Sequence, residues 1–140
     1  MSNLCVAGET QAPPRVVVVG LASCFGCQLQ ITNAEAHLLE VLGQIDMRYW
    51  QLTSSESMPD EFDVAVIEGA VTTREGMEIV QRVREKAAKV IAIGSCATTA
   101  GIPGMAQPDF ESRVTEVYEG APSACGEMVS PRAVGEFIKV

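Results

Sequence analysis

Three short apolar runs constrain the fold of this chain more than any other feature. Val16 to Val19, Val64 to Ile67 and Val90 to Ile93 are each unbroken and rich in β-branched residues. A strand with one wet face alternates apolar and polar side chains, whereas a strand covered on both faces does not. The three runs therefore read as central strands of a parallel sheet buried on both sides. Gly20 closes the first run, Glu68-Gly69 the second and Gly94 the third. Cysteines follow two of them: Cys24 and Cys27 in Cys-Phe-Gly-Cys, and Cys96 in Gly-Ser-Cys. If the strands are neighbours, three thiols gather at the carboxyl edge, where open α/β sheets bind ligands.

The intervening stretches supply helices. Thr32-Asn-Ala-Glu35 and Thr72-Thr-Arg-Glu75 each match the capping box, which satisfies free backbone donors at a helix start. Ile31, Ala34, Leu38 and Val41 then repeat at spacings of three and four, and Gly43 ends the pattern. Val80, Val83 and Ala87 form the inner side of the second helix, with Arg82, Arg84, Glu85 and Lys86 outside. Met47 to Leu52 alternates loosely and reads as a more exposed strand. Right-handed crossovers join these elements into an α/β, flavodoxin-like three-layer sandwich with a mostly parallel sheet. After Cys96, residues 101–108 read as turns, Asp109 to Tyr118 as a short helix, and Gly120 to Pro131 as a loop. Phe137 to Val140 reads as the start of another strand. Residues 1–14 are expected to be a flexible arm and 15–140 a single flavodoxin-like domain.

Composition narrows the function. The chain has 140 residues, enough for one domain, with 47% hydrophobic residues but only 5% aromatics, so Val, Ile, Leu and Ala make the core. A net charge of −8 counts against nucleic acid or an anionic membrane as partner. No apolar run approaches the roughly 20 residues that span a bilayer, and the first residues lack the basic start and apolar core of a signal peptide. Five cysteines, an odd number at wide spacing, do not suit a disulfide framework. A reducing cytoplasm with free or metal-bound thiols suits them better.

The thiols allow several chemistries. A C-x-x-C between strand and helix occurs in thioredoxin-like redox proteins, but such a site needs no third cysteine. Structural zinc takes four ligands, commonly as two close pairs, and Cys96 has no near partner. The lone histidine, His37, sits between Ala36 and Leu38 and reads as a helix-surface residue. An iron–sulfur cluster needs cysteine thiolates, usually four, and a tight pair plus distant singles on strand-end loops can wrap one. Gly26 and Gly94 would remove side chains where the backbone passes close. Cys5 reads as an incidental thiol in the arm; Cys125 reads as a loop thiol or a substitute ligand. Glu68 points toward the same edge, either to hydrogen-bond a cysteine loop or as an ordinary strand-end carboxylate. Phosphate, flavin and hydrolase readings lack their motifs: no G-x-G-x-x-G, no Walker lysine, no G-x-S-x-G.

Ser23-Cys-Phe-Gly-Cys-Gln-Leu-Gln30, Val66-Ile-Glu-Gly69 and Ile93-Gly-Ser-Cys-Ala97 together resemble the small subunit of cytosolic [NiFe] hydrogenases. The likeness is nearest to the delta subunit of sulfhydrogenases and NAD(P)-linked hydrogenases, with the 20 kDa subunit of respiratory complex I as a more distant relative. The resemblance implies a flavodoxin-like fold and a proximal [4Fe–4S] cluster held by Cys24, Cys27 and Cys96. It also implies a large subunit carrying the nickel–iron site, and flavin or iron–sulfur subunits beyond. Glu68-Gly69 matches the family's Glu-Gly pair. The family's fourth ligand lies in a Gly-Cys-Pro-Pro motif shortly after a stretch resembling Phe137 to Val140, so it is expected beyond Val140. A complex I-type or membrane-hydrogenase relay module and a zinc-stabilised interaction domain are the alternatives. The complex I subunit carries adjacent cysteines where this chain separates them by Phe25-Gly26.

Overall fold

The computed structural model describes residues 12–118 and 126–140. Cys5 and Cys125 lie outside the described residues. The three apolar runs form β1 (Arg15–Gly20), β3 (Val64–Glu68) and β5 (Lys89–Ile93), and the looser stretch forms β2 (Asp46–Trp50). All four pair in parallel in the order β2-β1-β3-β5. This is the flavodoxin-like order as far as its fourth strand. Val16 to Val19 are all buried, as expected for the sheet interior, while β2 lies at an edge with only Trp50 buried.

From β1 the chain crosses to β2 on one side; from β3 it crosses to β5 on the other. Right-handed crossovers put the two sets of helices on opposite faces. The first crossover carries α1 (Gly26–Thr32) and α2 (Glu35–Leu42), and the second carries β4 (Val71–Thr73) and α3 (Arg74–Lys86). α3 buries Val80 and Val83 in one cluster with Val17, Val19, Ala65 and Ile67 of the sheet. Full burial of such aliphatic side chains contributes about 1.5–3 kcal/mol each. Thr73 caps α3 by accepting the Gly76 N–H at 3.0 Å, so the cap lies one residue later than the motif placed it.

The first capping motif does something else. α1 starts inside the cysteine hairpin, with Phe25 in the left-handed region at φ 60°, and Thr32 ends this helix. The Thr32 hydroxyl donates back to the Leu29 carbonyl at 2.8 Å. α2 has no side-chain cap and buries none of its residues, so its expected inner face is not formed among the described residues.

Beyond β5 come α4 (Gly94–Thr99), a 3₁₀ turn at Pro103–Ala106 and α5 (Phe110–Tyr118), the last as expected. Met128–Arg132 forms β6, antiparallel to β4, where the sequence reads as loop. Phe137 to Val140 is not a strand. It follows a 3₁₀ turn at Val134–Glu136 and packs Phe137 and Ile138 against the core.

Candidate metal centre

The site lies where the crossovers diverge, at the carboxyl ends of β1 and β3. The loop after β1 is tied to the end of β3 by backbone. The Leu21 N–H donates to the Glu68 carbonyl at 2.7 Å, and Ala22 and Ala70 exchange hydrogen bonds at 3.2 and 2.9 Å. The Ser23 hydroxyl then accepts the Phe25 N–H at 3.1 Å, which turns the chain into the hairpin. Cys24 is exposed on this turn, and Cys27 is partly buried in the first turn of α1.

Cys96 arrives from the third run. The chain turns through Gly94, at φ +78°, directly into α4. A Cβ on Gly94 would lie 2.5 Å from the Cys27 sulfur, closer than any real contact allows. The bare backbone of the β5–α4 turn therefore touches the hairpin thiol, and Cys96 follows two residues on. Gly26 similarly faces the Cys24 sulfur, at 3.2 Å from an added Cβ. All three cysteines are free thiols at one edge of the sheet.

Glu68 completes the edge. It is 1% exposed at the end of β3. Its Oε1 accepts the Cys27 N–H at 3.4 Å and its Oε2 accepts from Gln28 Nε2 at 2.6 Å. The loop-holding arrangement is thus present. Gln28 and Trp50 belong to this cluster of buried polar groups and were not apparent as site residues. The available signals were weak: a glutamine next to the second cysteine, and a lone tryptophan at a strand end, whose N–H needs an acceptor when buried.

Electrostatics sets the chemistry. Desolvation pushes the Cys27 thiol above its ordinary range, and negative charge on Glu68, Cys24 and Cys96 pushes it further in the same direction. Turning these thiols into thiolates beside Glu68 would crowd like charge, a condition that a cationic metal core offsets. Among the described residues, no three His, Cys, Asp or Glu side chains close on a position for a single ion. A donor set of soft thiols, with glycine backbone against one sulfur and a hydrogen-bonded carboxylate behind it, fits an iron–sulfur centre.

Residues 24–139 match the family described as NADH ubiquinone oxidoreductase, 20 Kd subunit, and the chain belongs to that family. Among its relatives, the delta subunit of the NAD-reducing hydrogenase HoxS of Cupriavidus necator is 26% identical over 85% of this chain and 57% of that protein. A subunit of the F420-non-reducing hydrogenase of Methanothermobacter marburgensis is 36% identical over 74% of this chain and 35% of that protein. The chain thus spans about half the length of these relatives or less. A chain in the crystal structure of an NAD+-reducing [NiFe]-hydrogenase in the H2-reduced state has the same fold, with a TM-score of 0.76 and 23% identity over 91% of this chain and 79% of that one. No helix among the described residues is long and apolar enough to cross a membrane.

Proposed function

We propose that this chain is the electron-relay subunit of a cytoplasmic [NiFe] hydrogenase. Cys24, Cys27 and Cys96 would ligate a proximal [4Fe–4S] cluster, with a fourth ligand from outside the described residues. The nickel–iron site belongs to a separate large subunit, and flavin or iron–sulfur subunits take electrons onward. The observation that carries this reading is the meeting of the Cys27 sulfur with the bare Gly94 turn that leads into Cys96. Two distant segments of the sequence are brought together there with room for nothing but backbone. The hydrogenase subunits among the relatives support the same class.

When bound, the cluster supplies one-electron transfer. The chain's own residues hold and tune it. The hairpin contributes two thiolates from one turn, α4 contributes the third, and Glu68 anchors the hairpin by accepting the Cys27 N–H. The chain itself consumes no hydrogen.

The test is anaerobic purification of the complete complex, with metal analysis and EPR of the reduced sample. Replacing Cys96 by Ala is expected to remove about four irons per complex, the content of one such cluster, together with its EPR signal and hydrogen-driven reduction of the downstream carrier. An unchanged iron content defeats the reading, and stoichiometric zinc in its place favours the zinc-stabilised domain. The family description itself favours a second reading, a complex I-type relay module. Co-purification separates the two, since a nickel-containing partner supports the hydrogenase and a nickel-free membrane arm the alternative.

A further inference from the structure

Gln28 and Trp50 take no direct part in the ligand set, yet both are buried beside it. Gln28 is 0% exposed and Trp50 6%. The Gln28 amide lies between two partners. Trp50 Nε1–H donates to its Oε1 at 2.8 Å, and its Nε2–H donates to Glu68 Oε2 at 2.6 Å. An indole N–H only donates and an ionised carboxylate only accepts. Both neighbours therefore demand the same amide orientation, and the reverse would set N–H against N–H and oxygen against oxygen.

Glu68 depends on that amide. None of the ion pairs among the described residues includes it. A buried carboxylate without its donors is costly. Its contact to the Cys27 N–H, at 3.4 Å, is long, and the short bond to Gln28 is the stronger constraint. Gly20 makes room for the arrangement, because a Cβ there would lie 2.6 Å from the Phe25 ring and 3.0 Å from Gln28 Nε2.

We propose that Gln28 and Trp50 are positioning residues that orient the Glu68 carboxylate, and through it set the placement of Cys27 and the field at the cysteine edge. This rests on the reading of Cys24, Cys27 and Cys96 as cluster ligands. Charge and hydrogen bonding around the sulfurs set a cluster's potential. A carboxylate held in one orientation makes a fixed contribution to it, and a released one does not.

The test is a double-mutant cycle read as midpoint potential, by EPR-monitored redox titration of the complete complex. Glu68→Gln removes a negative charge and is expected to raise the potential. Gln28→Met, which keeps the side-chain length but no hydrogen bonds, is expected to shift the potential when Glu68 is present and leave it unmoved in the Glu68→Gln background. Trp50→Phe, which removes the indole N–H, is expected to do the same, and it carries the test if Gln28→Met does not fold. Equal shifts in both backgrounds, or none in either, overturn the proposal. A wild-type complex with no cluster to titrate overturns the ligand assignment instead.

Discussion

At the amino edge of the sheet, Arg15 bridges Asp63 and Glu61, Arg48 pairs with Asp46, and Lys86 meets Asp60. The carboxyl edge carries Glu68 and three cysteines, and Glu68 is held by neutral donors. The two edges belong to the same four strands, so the difference does not come from the backbone. At the first edge opposite charges meet in water, where such pairs add little and disturb little. At the second, one buried carboxylate is gathered with three thiols that would share its sign on ionising. Folding alone gives no reason for that arrangement, which makes the carboxyl edge the place to look for a bound cation or cluster.

The sharpest way to break this contrast is to remove one thiol. Cys96 is only partly buried, and alanine is the best helix former for its place in α4. Cys96→Ala is therefore expected to lose the cluster entirely while changing the stability of the metal-free chain by about 0.5 kcal/mol or less. Iron analysis and urea unfolding measure the two effects separately. A large stability loss with iron retained would mean that the thiols serve the core and not a ligand.

Gly94→Ala should strike fold and site together. The residue sits at φ +78°, where a side chain strains the backbone by about 1–3 kcal/mol, and the new methyl would displace the Cys27 sulfur. A lower melting temperature together with reduced iron content is expected. If the variant melts lower but keeps its full iron, the close approach of the two loops is not needed by the site.

Thr73→Ala sharpens the comparison from the other side, since Thr73 also lies near the carboxyl edge but works only for the fold. Loss of its cap on α3 is expected to cost about 0.5–2 kcal/mol, with iron content and EPR spectrum unchanged.

How much of this was readable beforehand depends on how local each signal is. The buried strands declared themselves because continuous Val and Ile runs have few other uses; the cysteines were legible as strand-end residues, but their spacing alone left several chemistries open. Strand order did not, because pairing is a long-range property that no window of sequence contains. Thr32 misled because a capping pattern fits a helix start, yet α1 had already begun at Gly26 under a left-handed Phe25. β6 was missed because Ser130 and Pro131 read as loop; proline is tolerated there in the two-stranded pairing with distant β4. Gln28 and Trp50 were invisible as a pair, because only the parallel pairing of β1 with β2 and β3 sets the tryptophan and Glu68 on either side of one amide.

The smallest effect is expected at the amino edge, and its pH dependence has a definite sign. Hydrogen bonds from the Arg15 side chain and backbone N–H hold the Asp63 carboxyl down at about 2, against an ordinary 3.8. A carboxyl with a lowered folded-state pKa stabilises the fold above its unfolded value, and that contribution fades as pH falls through the folded one. Asp63 should therefore support the fold fully above about pH 4 and lose its contribution between there and about pH 2. Asp63→Asn should flatten this part of the acid limb in urea midpoints measured from pH 2 to 7, and salt should shrink the difference, because the pair is partly open to solvent. Iron retention at neutral pH should not change. If Asp63→Asn instead releases iron, the two edges are coupled through the strands between them, and the division of labour drawn from their charges is wrong.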